Sequence, residues 1–341
     1  MTVTDHPHKQ SAGQNPTLSV VIPVFNEREV LPIFLRRITE AVAPLKITFE
    51  LLFVDDGSSD GSGQWLLDRT AVSRTMRVIR LSRNFGKEAA LSAGMDRASG
   101  DAVVVLDADL QDPPELIPEM LAEWRRGIDV VLMQRRERLG ESVMKRFSAS
   151  LYYRLLNRLS DSPIPPDVGD FRLMSRKAVA ALRGLPERNR YMKGLFSWVG
   201  MPTVVLHYDR DPRAAGRTKW GYPALARLAW EGITSFSTKP LKLATLLGLS
   251  AAVCGAAYGA WIVFKALVLG DPVAGYPSLI AIITLLGGAQ LCTIGIVGEY
   301  VGKIYIEAKQ RPIYLIYDDS KDTAANRSQE DLDEPARVGI R

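Results

Sequence analysis

The chain has 341 residues, and 24% charged against 47% hydrophobic is the balance of a folded protein rather than a disordered one. Two cysteines exclude a disulfide scaffold and a cysteine-built zinc site, and three histidines, with His6 and His8 in a polar start, leave little for an imidazole metal site. A net charge of +5 is too mild to name a partner, and the length suits two structural units.

In chain order, Met1–Pro16 is polar and lacks the apolar stretch of a signal peptide, so it reads as an N-terminal tail. Beyond it, short runs rich in Val, Ile and Leu recur. Leu18–Val24, Phe49–Val54, Met76–Leu81, Ala102–Leu106 and Asp129–Met133 read as strands. Glu29–Ala43, Gly63–Ser73, Glu88–Ala98 and Pro114–Arg126 read as the helices between them. The alternation predicts an α/β domain, Rossmann-like, with a mainly parallel sheet and helices on both faces. Ligands of such sheets bind beyond the carboxyl ends of the strands.

The loops at those ends are acidic. Asn26-Glu27 follows the first strand, DDGSSDG (Asp55–Gly61) the second, and DADLQD (Asp107–Asp112) the fourth. Neither a Gly-x-Gly-x-x-Gly after the first strand nor a Walker A motif occurs, which removes support from ordinary dinucleotide and P-loop readings. An Asp-x-Asp triplet alone is common as a solvated turn or cap. Placed after a buried strand, it gathers carboxylates that repel each other unless a cation compensates. Oxygen ligands select Mg2+ or Mn2+, which keep open positions for substrate phosphates. Such a site suits a nucleotide diphosphate.

Downstream the charge reverses. Residues 135–190 carry thirteen Lys or Arg against six Asp or Glu. In Ser142–Ser160, Val143, Phe147, Leu151, Leu155 and Leu159 recur at every fourth position among Lys145, Arg146, Arg154 and Arg158. The pattern fits a helix at an anionic membrane surface, or one packed on the domain with a solvated basic face. Tyr222–Lys239 reads as a second interfacial helix. Nucleic acid is not an expected partner, because the basic block abuts an acidic site and a membrane hairpin.

Leu243–Phe264 and Pro277–Gly298 contain no charge. Each is long enough to cross a hydrocarbon core of about 30 Å. Lys239 and Lys242 precede the first run, Lys303, Lys309 and Arg311 follow the second, and the loop between carries only Asp271. The positive-inside rule puts both ends of this hairpin, and the large N-terminal part, in the cytoplasm. Both cysteines, Cys254 and Cys292, lie within the runs and read as packing residues. The expected layout is a tail (1–16), a catalytic domain (17–221), an interfacial amphipathic helix (222–240), two spans (243–266 and 277–300, within 241–302) and a cytoplasmic tail (303–341).

The ordered set VVIPVFNE, FVDDGSSDGS, DADLQDPPE and DVGDFRLMSR, followed by the hairpin, resembles family 2 glycosyltransferases of GT-A fold. More narrowly, it is similar to the polyprenyl-phosphate glycosyltransferases, among them dolichol-phosphate mannose synthases and bactoprenol glucosyltransferases. The likeness covers residues 17–315. It implies that Pro23, Phe25 and Glu27 contact the nucleotide, with Val54 and Asp56 beside them and Asp56 on the base edge. It implies that Asp107 and Ala108 contact the nucleotide-sugar, and that Asp109 and Gln111, with Asp107, hold Mg2+ or Mn2+. Arg135 would meet phosphate. Arg213 and Lys219, in RAAGRTK, would close over the diphosphate; the family often shows Gly-x-Ser-Lys there, and Thr218 keeps the hydroxyl. Asp167, Asp170 and Arg172 match a loop facing the acceptor, and Lys145 and Arg146 are candidate acceptor-phosphate binders.

The chemistry expected is one inverting displacement from a nucleotide-sugar, UDP-glucose by preference, onto polyprenyl (undecaprenyl) phosphate at the bacterial inner membrane. Gly255-x-x-x-Gly259 and Gly298-x-x-x-Gly302 give the hairpin small-residue faces, which allow a homo-oligomer, a tetramer among the options. Two rivals stand beside it. One is a processive polysaccharide synthase, which usually carries a Gln-x-x-Arg-Trp motif and more spans, where this chain has KGLFSWVGM and two. The other is a non-enzymatic nucleotide-sugar sensor or partner subunit, whose mark would be a broken metal motif.

Overall fold

Leu18–Val24 (β1) is buried almost throughout because it runs through the middle of a sheet covered on both faces. Its neighbours alternate sides as a pleat requires. Val20 and Ile22 join Phe53 in one core, while Val21 joins Leu52 and Val54 in the other. The computed structural model describes residues 17–73, 75–136, 168–190, 192–209, 234, 237–269 and 275–322.

The remaining strands are Phe49–Asp55 (β2), Met76–Leu81 (β3), Ala102–Val105 (β4), Val130–Arg135 (β5), Val168–Ser175 (β6), Thr203–Tyr208 (β7) and Ile316–Asp319 (β8). They form one sheet in the order β7-β5-β6-β4-β1-β2-β3-β8. The pairs β4–β1, β1–β2, β2–β3 and β5–β7 are parallel. β6 runs antiparallel to β4 and β5, and β8 antiparallel to β3. The expected mainly parallel sheet with helices on both faces is the one observed.

Leu31–Val42 (α1) buries Leu31, Phe34, Ile38 and Val42, one stripe of the helix, and Phe34 meets Phe53 edge to face at 6.2 Å. Ser62–Thr70 (α2), Lys87–Arg97 (α3) and Ile117–Arg125 (α4) follow the next strands. α3 lies hard on the sheet: a Cβ on Gly94 would sit 2.3 Å from Val21 Cγ1. Arg176–Arg183 (α5) and Met192–Trp198 (α6) complete the helices of this part.

Two elements differ from the sequence expectation. DVGDFRLMS, expected as a loop, is from Val168 onward the strand β6, with Arg172 opposite both Val105 and Leu132. Asp170 and Arg172 hide a strand whose Val168, Phe171, Leu173 and Met174 are buried. The second difference lies past the hairpin. The last long helix runs to Lys309, and residues 316–319, within the segment read only as a tail, return as an edge strand.

That edge is fastened by charge. Asp319, 4% exposed, accepts from Arg77 Nε at 3.0 Å and Nη2 at 2.7 Å, and from Arg97 Nη1 at 3.1 Å. Ser320 Oγ accepts the Val78 N–H at 3.0 Å. The arginines hold the Asp319 carboxyl below the usual carboxylate range, outweighing burial, which pushes it the other way.

Lys239–Leu269 (α7) and Tyr276–Lys309 (α8) pack on each other and leave Leu246, Leu249, Trp261, Leu285 and Ile294 more than half exposed. At 31 and 34 residues they measure roughly 46 and 51 Å, longer than a hydrocarbon core of about 30 Å. Both are apolar enough to cross a membrane. The far end of α8 reaches the rest of the protein. Glu307 accepts backbone N–H groups of Arg188 and Asn189 at 2.9 Å, and Arg188 Nη1 donates to the Arg311 carbonyl at 2.8 Å.

Candidate active site

The loops after β1 and β2 are sewn together by side chains acting on backbone. Asn26 takes a left-handed φ of 55°, which lets its Oδ1 accept from Ser59 N at 2.8 Å while its own N–H donates to Ser58 Oγ at 2.9 Å. Glu27 N–H donates to Ser62 Oγ and Arg28 N–H to Asp60 Oδ2. Burial raises the Asp60 carboxyl, but the bonds from Ser62 and Arg28 outweigh it and hold it below its ordinary value. Pro23 and Glu27 are half-buried, and Phe25 is the exposed aromatic of this rim. Val54 is fully buried in the sheet.

Asp56 sits behind that rim, 3% exposed. Its carboxylate accepts the N–H of Phe85 at 2.7 Å and of Gly86 at 2.9 Å, which ties the β2 loop to the segment leading into α3. Desolvation pushes Asp56 up, and those two N–H groups offset it only in part. The approach of the two segments is close. Gly57 has φ +68°, and a Cβ there would lie 2.6 Å from the carbonyl carbon of Arg83. Gly57→Ala is therefore expected to destabilise the fold by about 2 kcal/mol, through strain and displacement together. Thermal melting of the two proteins checks this; an unchanged Tm would mean that the loop shifts freely.

After β4 the chain turns through Leu110, a buried residue at φ 60°, so that Asp109 Oδ1 accepts the Gln111 N–H at 3.2 Å. Asp107, Asp109 and Gln111 are half-buried around this turn, and Ala108 is buried within it. Next to them Asp112, 1% exposed, accepts from Tyr208 OH at 2.5 Å. Burial, then the Asp112 charge, push the Tyr208 phenol well above its usual value. Arg135 also reaches Tyr208, and its buried Nε has no partner among the described residues.

β6 brings the third side. Asp170 enters the site, while Arg172, 3% exposed, turns behind it. Arg172 donates to the carbonyls of Gly169 at 2.7 Å and Asp170 at 3.3 Å, and its guanidinium lies 3.7 Å over the Phe196 ring. Burial lowers the Arg172 pKa, with Asp170 and Glu88 pulling it back. Its geometry is that of a support for the Gly169–Asp170 backbone. Lys87, which sequence reasoning missed, joins the two sides: Nζ lies 2.7 Å from Asp107 Oδ2 and 2.6 Å from Asp170 Oδ2. The one signal it left in the sequence was a lysine at a predicted helix start, where cations are disfavoured.

The structure thus brings Pro23, Phe25, Glu27, Asp56, Asp107, Asp109, Gln111, Arg135 and Asp170 to the carboxyl edge of one sheet. Asp167, Lys145, Arg146, Arg213 and Lys219 lie outside the described residues, as do nearly all of the two amphipathic segments.

Residues 19–183 match the model of the family described as Glycosyl transferase family 2, and residues 239–304 that of the GtrB C-terminal hairpin. Over 300 residues the chain is 48% identical to a bactoprenol glucosyl transferase of Shigella phage SfV, covering 88% of this chain and 97% of the relative. The chain belongs to glycosyltransferase family 2. A prophage bactoprenol glucosyl transferase homolog of Escherichia coli K12 is 46% identical over 300 residues, 88% of this chain and 98% of that one. An uncharacterized glycosyltransferase of Synechocystis is 48% identical over 301 residues, 88% and 95% of the two chains. In this glycosyltransferase the GT-A domain and the hairpin are therefore parts of one family pattern, which agrees with the resemblance drawn from the four motifs.

Proposed function

We propose that this glycosyltransferase moves a sugar from a nucleotide-sugar, UDP-glucose by preference, to polyprenyl phosphate, with inversion, at the cytoplasmic face of the bacterial inner membrane. The observation that carries the reading is the meeting of Asp107 and Asp170 on Lys87 at one sheet edge, next to the turn that holds Asp109, in a chain whose α8, one arm of an apolar hairpin, is tied to that domain through Glu307. The Shigella phage and E. coli relatives, a bactoprenol glucosyl transferase and its homolog, support the acceptor and the sugar. A working homo-oligomer, a tetramer among the options, belongs to the same proposal.

The donor set suits a hard divalent cation. Among the described residues no three His, Cys, Asp or Glu converge as a ready cage. Mg2+ and Mn2+ do not need one, since they take one or two carboxylates and complete their shell with water and substrate phosphates. Asp107, Asp109 and Gln111 would hold the ion, which supplies charge neutralisation to the leaving diphosphate.

The protein groups do the rest. A phosphate monoester has a second pKa of about 6, so the lipid phosphate is already an anionic nucleophile and needs alignment more than a base. Arg135, with Lys145 and Arg146, gathers that phosphate; the buried, partnerless Nε of Arg135 has a donor to spend on it. Arg213 and Lys219 take the departing diphosphate. Asp170 and Asp167 orient the acceptor, and Arg172 stiffens the backbone under Asp170. Asp56, Glu27, Phe25, Pro23, Val54 and Ala108 frame the nucleoside.

The test is a donor screen on the full chain in detergent, with undecaprenyl phosphate and Mg2+, read by mass spectrometry of the lipid. One hexose added from UDP-glucose, abolished by a chelator and restored by Mg2+ or Mn2+, is the expected result. A growing polymer would make it a polysaccharide synthase. Nucleotide binding without any lipid product would make it a sensor or partner subunit.

A further inference from the structure

Lys87 is the first residue of α3, the end of a helix where the macrodipole repels a cation. Two carboxylates from distant parts of the chain hold it there, at 2.7 Å and 2.6 Å. Asp107 belongs to the turn after β4, and Asp170 to the adjacent, antiparallel β6. The lysine's own footing is fixed. Asp56 binds the two N–H groups immediately before it, and Gly94 lets α3 press on Val21. From that fixed footing its ammonium is held by both carboxylates at once. Removing it would leave Asp107 and Asp170 repelling each other across a gap set by hydrogen-bond lengths to one atom.

We propose that Lys87 is a positioning residue: it fixes the distance between the donor-side Asp107 and the acceptor-side Asp170, and its charge weakens the hold of this acidic site on the divalent cation. The proposal rests on the functional reading above. It makes the two effects of losing Lys87 run in opposite directions. The site would bind metal more tightly, because a positive charge that competes for one of its own carboxylates, Asp107, is gone. Turnover falls, because the two carboxylates no longer keep their spacing. A merely structural lysine would lower both together.

The experiment uses the full chain in detergent. Free Mn2+ is followed by its electron paramagnetic resonance signal during titration of wild type, Lys87→Met and Lys87→Arg, beside kcat for lipid glycosylation. For Lys87→Met, Mn2+ binding tightens about tenfold and kcat drops about 10- to 100-fold. Lys87→Arg keeps the charge and returns Mn2+ affinity to within about threefold of wild type, while its different reach leaves kcat reduced. Mn2+ binding in Lys87→Met that is unchanged or weaker overturns the inference alone. Wild type that binds no Mn2+ overturns the functional reading and the inference with it. If Lys87→Met does not fold, Lys87→Gln, which keeps a donor but no charge, is read by the same two criteria.

Discussion

Asp109→Ala is expected to lower kcat about a thousandfold with little change in melting temperature. A bound divalent cation contributes several kcal/mol to neutralising a leaving phosphate, and about 4 kcal/mol is a factor of a thousand. The fold bears the loss easily, since Asp109 is only half-buried and sits in a loop turn, where its Oδ1 accepts the Gln111 N–H. Steady-state rates at saturating UDP-glucose and Mn2+ measure the first effect, and thermal melting the second. A variant within tenfold of wild type would show that the metal is held elsewhere.

The second large effect concerns stability. Asp319→Asn leaves Arg77, 11% exposed at its side chain, without its bidentate partner. Breaking a buried pair by removing one member costs about 3 kcal/mol, since the remaining charge stays buried. The pH dependence has a definite sign. The folded Asp319 pKa lies below its ordinary value, so its contribution is complete above the unfolded pKa of about 3.9 and is lost as the pH falls through the lower folded one. The difference in melting temperature between the two proteins should therefore hold steady from about pH 5 to 8 and close below about pH 4. A gap that persists in acid would place the cost in packing rather than charge.

What could be read in the sequence follows from burial. Strands β1 to β5 are covered on both faces, so they spell themselves out as runs of Val, Ile and Leu, and the acidic loops at their ends stand out against them. The hairpin was legible because absence of charge over so long a stretch has few other causes. β6 was not, because Asp170 and Arg172 interrupt its apolar pattern, and the carbonyls and ring that accommodate Arg172 are visible only in three dimensions. β8 was hidden for the same kind of reason: half of its four residues are aspartates, and Asp319 meets Arg77 across 242 positions of sequence. Lys87 escaped because its two partners are close in space and far apart in the chain.

The position of β8 orders the protein's biogenesis. β3 needs a partner that is synthesised only after the ribosome has passed both α7 and α8. Until then Arg77 and Arg97 have no Asp319, and the outer edge of β3 stands open, the kind of edge that pairs with other chains. The closing strand arrives tethered to a helix whose end already grips the Arg188–Asn189 turn. Completion of the sheet thus waits on synthesis of the hairpin, and a chain that stops short of residue 316 leaves the ribosome with a glycosyltransferase domain unsealed along one side.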